Sequence, residues 1–175
     1  TVTGGTLVGV VGSDNVNLDV SSVAATFDTK NVGSGKTVTV TGYAITGTDI
    51  ANYDLTQPAL TGTITAKGLN VTGATAVSKV YDATDVAVVS GASLDVSGMV
   101  AGETVALANA TAGTFAQIHV GQGISVTTTM TLSGADASNY QVIQPSGLTA
   151  DITGKALTVT GAVATSRVYD SSTII

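Results

Sequence analysis

Apolar and polar residues alternate along most of this chain. In Lys36-Thr37-Val38-Thr39-Val40-Thr41, Leu60-Thr61-Gly62-Thr63-Ile64-Thr65 and Ala156-Leu157-Thr158-Val159-Thr160, apolar side chains fall on one face and Thr on the other. A period of two is that of a half-buried strand. Gly and Asp/Asn/Ser clusters interrupt these runs every 8–12 residues or so, the spacing of a sandwich or barrel. Nothing sustains a 3.6-residue period with caps, so the pattern predicts an all-β fold nearly free of helix.

The pattern also repeats itself. Thr26-Phe27 and Val32-Gly33-Ser34-Gly35 return as Thr114-Phe115 and Val120-Gly121-Gln122-Gly123. Gly47-Thr48-Asp49-Ile50-Ala51-Asn52-Tyr53 returns as Gly134-Ala135-Asp136-Ala137-Ser138-Asn139-Tyr140, and Gln57-Pro58 as Gln144-Pro145. Ile64-Thr65-Ala66-Lys67 matches Ile152-Thr153-Gly154-Lys155, and Lys79-Val80-Tyr81-Asp82 matches Arg167-Val168-Tyr169-Asp170. Every offset is 87 or 88 residues, so the chain is a tandem repeat. When the C-terminal Ser171–Ile175 is read on into Thr1–Leu7, Gly4 and Leu7 fall on Gly91 and Leu94. The expectation is a tile of a longer array, or a subunit joining head to tail.

Asp49-Ile50-Ala51-Asn52-Tyr53 and Asp136-Ala137-Ser138-Asn139-Tyr140 place a Tyr four positions after an Asp, directly before an apolar run. This is like the tyrosine corner of immunoglobulin-like sandwiches, whose phenol bonds to backbone a few residues upstream. On that frame YDLTQPAL and YQVIQPSGL are penultimate strands, and LTGTIT and LTADIT are last strands. The expected architecture is tandem immunoglobulin-like antiparallel β-sandwich repeats in an elongated rod. Residues 1–66 form a repeat lacking its opening strands, 67–154 a complete repeat, and 155–175 the opening strands of the next. The short junctions at Lys67 and Lys155 favour a stiff rod over a flexible string.

Composition adds exclusions. The 30 Thr and 25 Val favour strands, because stiff β-branched side chains suit a pleated surface. A net charge of −6 with only six Lys and Arg argues against nucleic acid, which demands clustered cations. The absence of Cys removes disulfides, thiolate zinc sites and cysteine nucleophiles. No apolar run reaches the roughly 18–20 residues of a membrane span.

Candidate chemistry is sparse. His119 replaces Asn31 of the first repeat and reads as a solvated loop-edge residue. The acids are dispersed and Glu103 is the only Glu, so no carboxylate pair for glycoside hydrolysis is evident. No enzyme is expected. Asp82, Asp85 and Asp151 could converge on calcium near a domain end, joined by Asp49 or Asp136, but no calcium-binding loop motif is present and such residues are also ordinary in turns. Thr-x-Thr runs suit an ice-binding surface less well than solvent-facing strands, since twisted sheets give no flat Thr ladder. Tyr53, Tyr81, Tyr140 and Tyr169 recur between repeats and are expected to pack against sheets. Lys67 and Lys155 could form isopeptide bonds, but their junction positions fit a charged linker better.

The series K-V-Y-D-x-T, G-T-F-x-x-x-x-V-G-x-G, G-A-D-x-x-N-Y and Q-P-x-L-T-x-x-I-T-x-K-x-L-x-V-T-G resembles the YDG-type repeats of bacterial filamentous-haemagglutinin-like adhesins, including those exported by two-partner secretion. The resemblance covers essentially the whole chain. It departs at Ala83 and Ser171, where such repeats usually carry Gly after Tyr-Asp. It implies a secreted or cell-surface structural module, a stalk or biofilm-matrix fibre, with no catalytic or ligand-binding residues. Neighbouring repeats, or head-to-tail copies, are the implied partners, with lateral bundling favoured by the low charge. A carbohydrate-binding module array, with polysaccharide as partner, and a subunit polymerising by strand complementation are the alternatives.

Overall fold

Alternation of apolar residues with Thr, broken by Gly, gives short strands and tight returns throughout. The computed structural model describes residues 2–174. Its strands are β1 (Asn17–Asp19), β2 (Ala24–Phe27), β3 (Gly33–Thr41), β4 (Ala44–Thr46), β5 (Ala59–Ile64), β6 (Lys67–Thr72), β7 (Thr75–Val77) and β8 (Lys79–Val80). They continue with β9 (Val86–Ser90), β10 (Ser93–Leu94), β11 (Ala106–Ala108), β12 (Ala112–Phe115), β13 (Gly121–Thr128), β14 (Thr131–Ser133), β15 (Tyr140–Ile143) and β16 (Thr149–Thr153). The helical content described is three single 3₁₀ turns, at Ile50–Asn52, Val96–Gly98 and Ala137–Asn139. The all-β reading holds.

Contacts divide the chain into two compact units that cut across the sequence repeats. The first comprises Thr1–Asn70, Leu94–Ala108 and Thr131–Ile143. It holds the antiparallel pairs β1–β4 and β11–β14, the sheet β2-β3-β5, and the sheet β10-β6-β15. Its apolar cluster is Leu69, Val105 and Tyr140, packed by Leu94, Met99 and Leu132. In β6–β15 the pairing is parallel, Lys67 to Tyr140 and Leu69 to Val142. Lys67 is therefore a strand residue, not a linker.

The second unit comprises Val71–Ser93, Asn109–Met130 and Gln144–Ile175. Its one sheet runs β7-β9-β12-β13-β16-β8. The two terminal strands of that order, β7 and β8, are separated in the chain by Ser78 alone. One extended segment thus pairs antiparallel with β9 through its first half and parallel with β16 through its second. The sheet nearly closes on itself, and the Ser78 hydroxyl accepts the Asp151 N–H at 3.0 Å at the break. Closure removes the open edges through which strands aggregate. Inside lie Ala87, Val89, Phe115, Ile124, Val126, Met130, Ala150 and Ile152, the buried alternate positions of β9, β13 and β16 among them.

Three expectations are corrected. Pairing is not antiparallel throughout, since β6–β15 and β8–β16 are parallel. The segment Tyr53–Pro58 carries no strand, although its counterpart Tyr140–Ile143 is β15. Ala156–Thr160 likewise forms no strand, and Leu157 is 92% exposed. In both cases alternation supplies a face but no partner edge, and a strand needs both.

Candidate functional site

Two clusters recur in both repeats, and each is built from residues widely spaced in sequence. The first centres on Tyr140 and Tyr53. A 3₁₀ turn delivers each Tyr, and its phenol oxygen accepts a backbone N–H: Val100 at 2.9 Å for Tyr140, Val11 at 3.0 Å for Tyr53. Each phenol then donates to a carboxylate at 2.7 Å, Glu103 or Asp14. Each phenol bonds to backbone, but not to a partner a few residues upstream as in a tyrosine corner. The backbone partners lie 40 and 42 residues away, because each Tyr follows a turn packed on a distant loop.

Asp136 and Asp49 fasten the same loop. The Asp136 carboxylate accepts the Thr104 N–H at 2.8 Å while its own N–H donates to the Thr104 carbonyl. Asp49 does the same with Asn15. Gly134 and Gly47, just before, lie at φ +113 and +136, and a Cβ on either would meet the Thr104 or Asn15 carbonyl oxygen at 2.4 or 2.0 Å. A side chain is excluded there by both conformation and space.

The Glu103 carboxylate also holds Lys30 of the first repeat at 3.1 Å. Hydrogen bonds from the Tyr140 phenol and then from Lys30 keep Glu103 below the usual carboxylate range. Tyr140 itself is pulled down by the Val100 amide, but its bond to Glu103, its desolvation and the negative charges of Glu103 and Asp136 together leave the phenol raised. Next to this pair, the Asn139 side-chain oxygen accepts the Val32 N–H at 3.0 Å. The loop Lys30–Val32 of one repeat is thus clasped by Glu103 and Asn139 of the next.

The second cluster is the Tyr-Asp signature. The Asp82 carboxylate accepts the N–H and hydroxyl of Thr84, both at 2.9 Å, and pairs with Lys79 at 2.8 Å. Lys79 is only 17% exposed and also donates to the carbonyls of Thr84 and Val86, with its ammonium 5.5 Å from the Phe115 ring centroid. The Lys79 bond first, and then the Thr84 amide, lower the Asp82 pKa to about 2. Ala83 between them sits at φ +64. Ser171 in the other copy adopts the same φ, and Arg167 there bonds Asp170 and the carbonyls of Ser172 and Ile174. The Gly expected after Tyr-Asp is the residue this left-handed turn favours.

Not every candidate converges. Among the described residues no group of three His, Cys, Asp or Glu could hold a metal, so Asp82, Asp85 and Asp151 are not brought together for calcium. Asp82 is committed to Lys79 and Thr84, and Asp151 accepts the Gly123 N–H. Tyr81 is half-buried, its N–H donating to the Thr153 carbonyl. Tyr169 is exposed rather than packed, because no sheet forms along its segment. His119 is exposed, as expected.

Sequence reading missed the work of Gln144 and Gln57. The Gln144 amide accepts the Met130 N–H and donates to the Met130 carbonyl, imitating a strand partner, and Gln57 does the same to Tyr43. Their recurrence ahead of Pro was the available signal. Glu103 gave none, since its counterpart is Asp14 at a shifted spacing. No helix among the described residues is long and apolar enough to cross a membrane, which leaves β-barrel spans unaddressed.

The YDG domain profile matches residues 1–61 and 65–149. No curated protein and no solved structure matches the chain.

Proposed function

Because the chain belongs to the YDG domain family, we propose that it is a structural stalk or fibre repeat of a bacterial extracellular adhesin. On this reading, immunoglobulin-like β-sandwich repeats follow one another in an elongated rod that supports cell adhesion or a biofilm matrix. The supporting observation is the clasp of Lys30–Val32 by Glu103 and Asn139, which ties one repeat to the next through backbone as well as side chains. An exposed ion pair alone contributes little. A backbone amide held by a side chain fixed in a 3₁₀ turn restrains orientation as well as distance. The residues common to both repeats, Asp49 and Asp136, Tyr53 and Tyr140, Gln57 and Gln144, fasten loops within each repeat. Lateral bundling follows from the sparse charge, since few like charges oppose contact between neighbouring rods.

An antibody raised against these 175 residues tests the proposal on intact cells of the source bacterium. Labelling of extracellular fibres without permeabilisation is expected. Labelling only after permeabilisation overturns it.

A further inference from the structure

Strand β9 is apolar on both of its faces. Ala87 and Val89 are buried inside the second unit, while Val86 and Val88 point outward and are 62% and 55% exposed. An apolar run of this kind is the mark of a strand covered on both faces. Its neighbours continue the outer surface. Val88 lies opposite Val77 of β7 and Ala112 of β12, and Val86 lies opposite Thr114, which is paired in turn with Thr127 of β13. All of these side chains are exposed.

That surface carries no charge. The six basic and twelve acidic residues of the chain all lie outside β7, β9, β12 and β13. The sheet β2-β3-β5 of the first repeat carries the same outer residues, with exposed Ala24, Thr26 and Thr39 at the places of Ala112, Thr114 and Thr127. Its one lysine, Lys36, lies on the inner face with Val38 and Val40 and pairs with Asp28 at 3.0 Å. An uncharged outer face is thus a feature of both repeats.

We infer that the outer face of β7-β9-β12-β13 packs against the same face of a second copy of this chain. This rests on the fibre reading and names the contact behind its lateral bundling. The charge pattern selects the occupant. Two chains of net charge −6 repel each other, and the approach that keeps their carboxylates apart is the one through an uncharged face. A charged partner finds no counter-ion there, and a sugar finds no exposed aromatic to stack on. A second copy supplies matching rows of Val and Thr, which interdigitate as the inner faces of stacked sheets do, about 10 Å apart. The same patch serves on both copies, so the contact is isologous. The nearly closed sheet leaves no long edge for strand pairing, and the meeting is face to face.

Sedimentation velocity on the full chain across concentration tests this. The natural chain is expected to associate, and Val88→Lys to weaken that association at least tenfold, since it buries an unpaired charge in the contact. Val96→Lys, at an exposed valine on the 3₁₀ turn Val96–Gly98, is expected to leave association unchanged. Thr127→Lys repeats the test on a neighbouring strand if Val88→Lys does not fold. A natural chain that stays monomeric, association that survives the face variants, or equal loss with Val96→Lys overturns the inference. Extracellular labelling without such association would refute the face alone. Face-dependent association with labelling only after permeabilisation would refute the fibre reading alone.

Discussion

Tyr140 donates its phenol proton to Glu103 over 2.7 Å while its oxygen accepts the Val100 N–H over 2.9 Å. One side chain thereby joins a 3₁₀ turn, a distant loop and the carboxylate that holds Lys30. Tyr140→Phe keeps the ring in the Leu69–Val105 cluster but leaves the Val100 amide without this acceptor. Its expected effect is a fall in Tm of about 3–8 °C, from an unmade hydrogen bond in a chain of this size. Thermal unfolding followed by circular dichroism checks it, and an unchanged Tm would remove Tyr140 from its place as a fastening.

Ala83 has a backbone that disfavours a side chain, at φ +64. Ala83→Gly relieves a cost of about 1 kcal/mol, less the added freedom of the unfolded chain, for a net rise in Tm of roughly 1–3 °C. Ser171→Gly shares the geometry but lies in a segment with no strand, so its expected effect on Tm is nil in dilute solution. The paired melts test the turn rather than glycine in general.

Lys79 spends its donors on Asp82, Thr84 and Val86. Lys79→Met leaves those acceptors unserved and is expected to destabilise the second unit. Lys79→Arg, the residue found at position 167, is expected to retain most of the stability. Equal urea midpoints for the two variants would show that the stem matters and the charge does not.

Acid should release the same cluster. Asp82 is held down to about 2, so its contribution is full above the unfolded carboxylate pKa and is lost as pH falls through the folded one. Glu103 is shifted in the same direction. The Tm gap between the natural chain and Asp82→Asn is therefore expected to be constant above about pH 5, to shrink from about pH 4 downward, and to close only below about pH 2. A gap as large at pH 2 as at pH 6 would contradict the assigned pairing.

Leu69 and Leu157 hold equivalent sequence positions in opposite environments. Leu69→Ala is expected to cost about 2–5 kcal/mol, the range for a fully buried Leu. Leu157→Ala in dilute chain is expected to stay within about 0.5 kcal/mol of the parent, as at an exposed site. Chemical denaturation of both variants reads the contrast directly.

The sequence made the strands legible wherever alternation met a partner. Lys36–Thr41 and Leu60–Thr65 are strands because β2, β3 and β5 pair side by side. The same alternation in Ala156–Thr160 yields none, since a period of two specifies a face and leaves the edge to be found elsewhere. The parallel pairings of β6 and β8 were not visible, because side-chain pattern is indifferent to strand direction. The repeat also displayed Asp49, Asp136, Tyr53 and Tyr140 as fastenings. It hid Asp14 and Glu103, whose loops are shifted by two residues relative to the Tyr turns they serve.

The most direct test of the account is the mass of the undenatured native polypeptide, measured by light scattering across concentration. Serial repeats, covalent or joined end to end, predict a mass many times 17.2 kDa. A single species of 17.2 kDa at every concentration would contradict it.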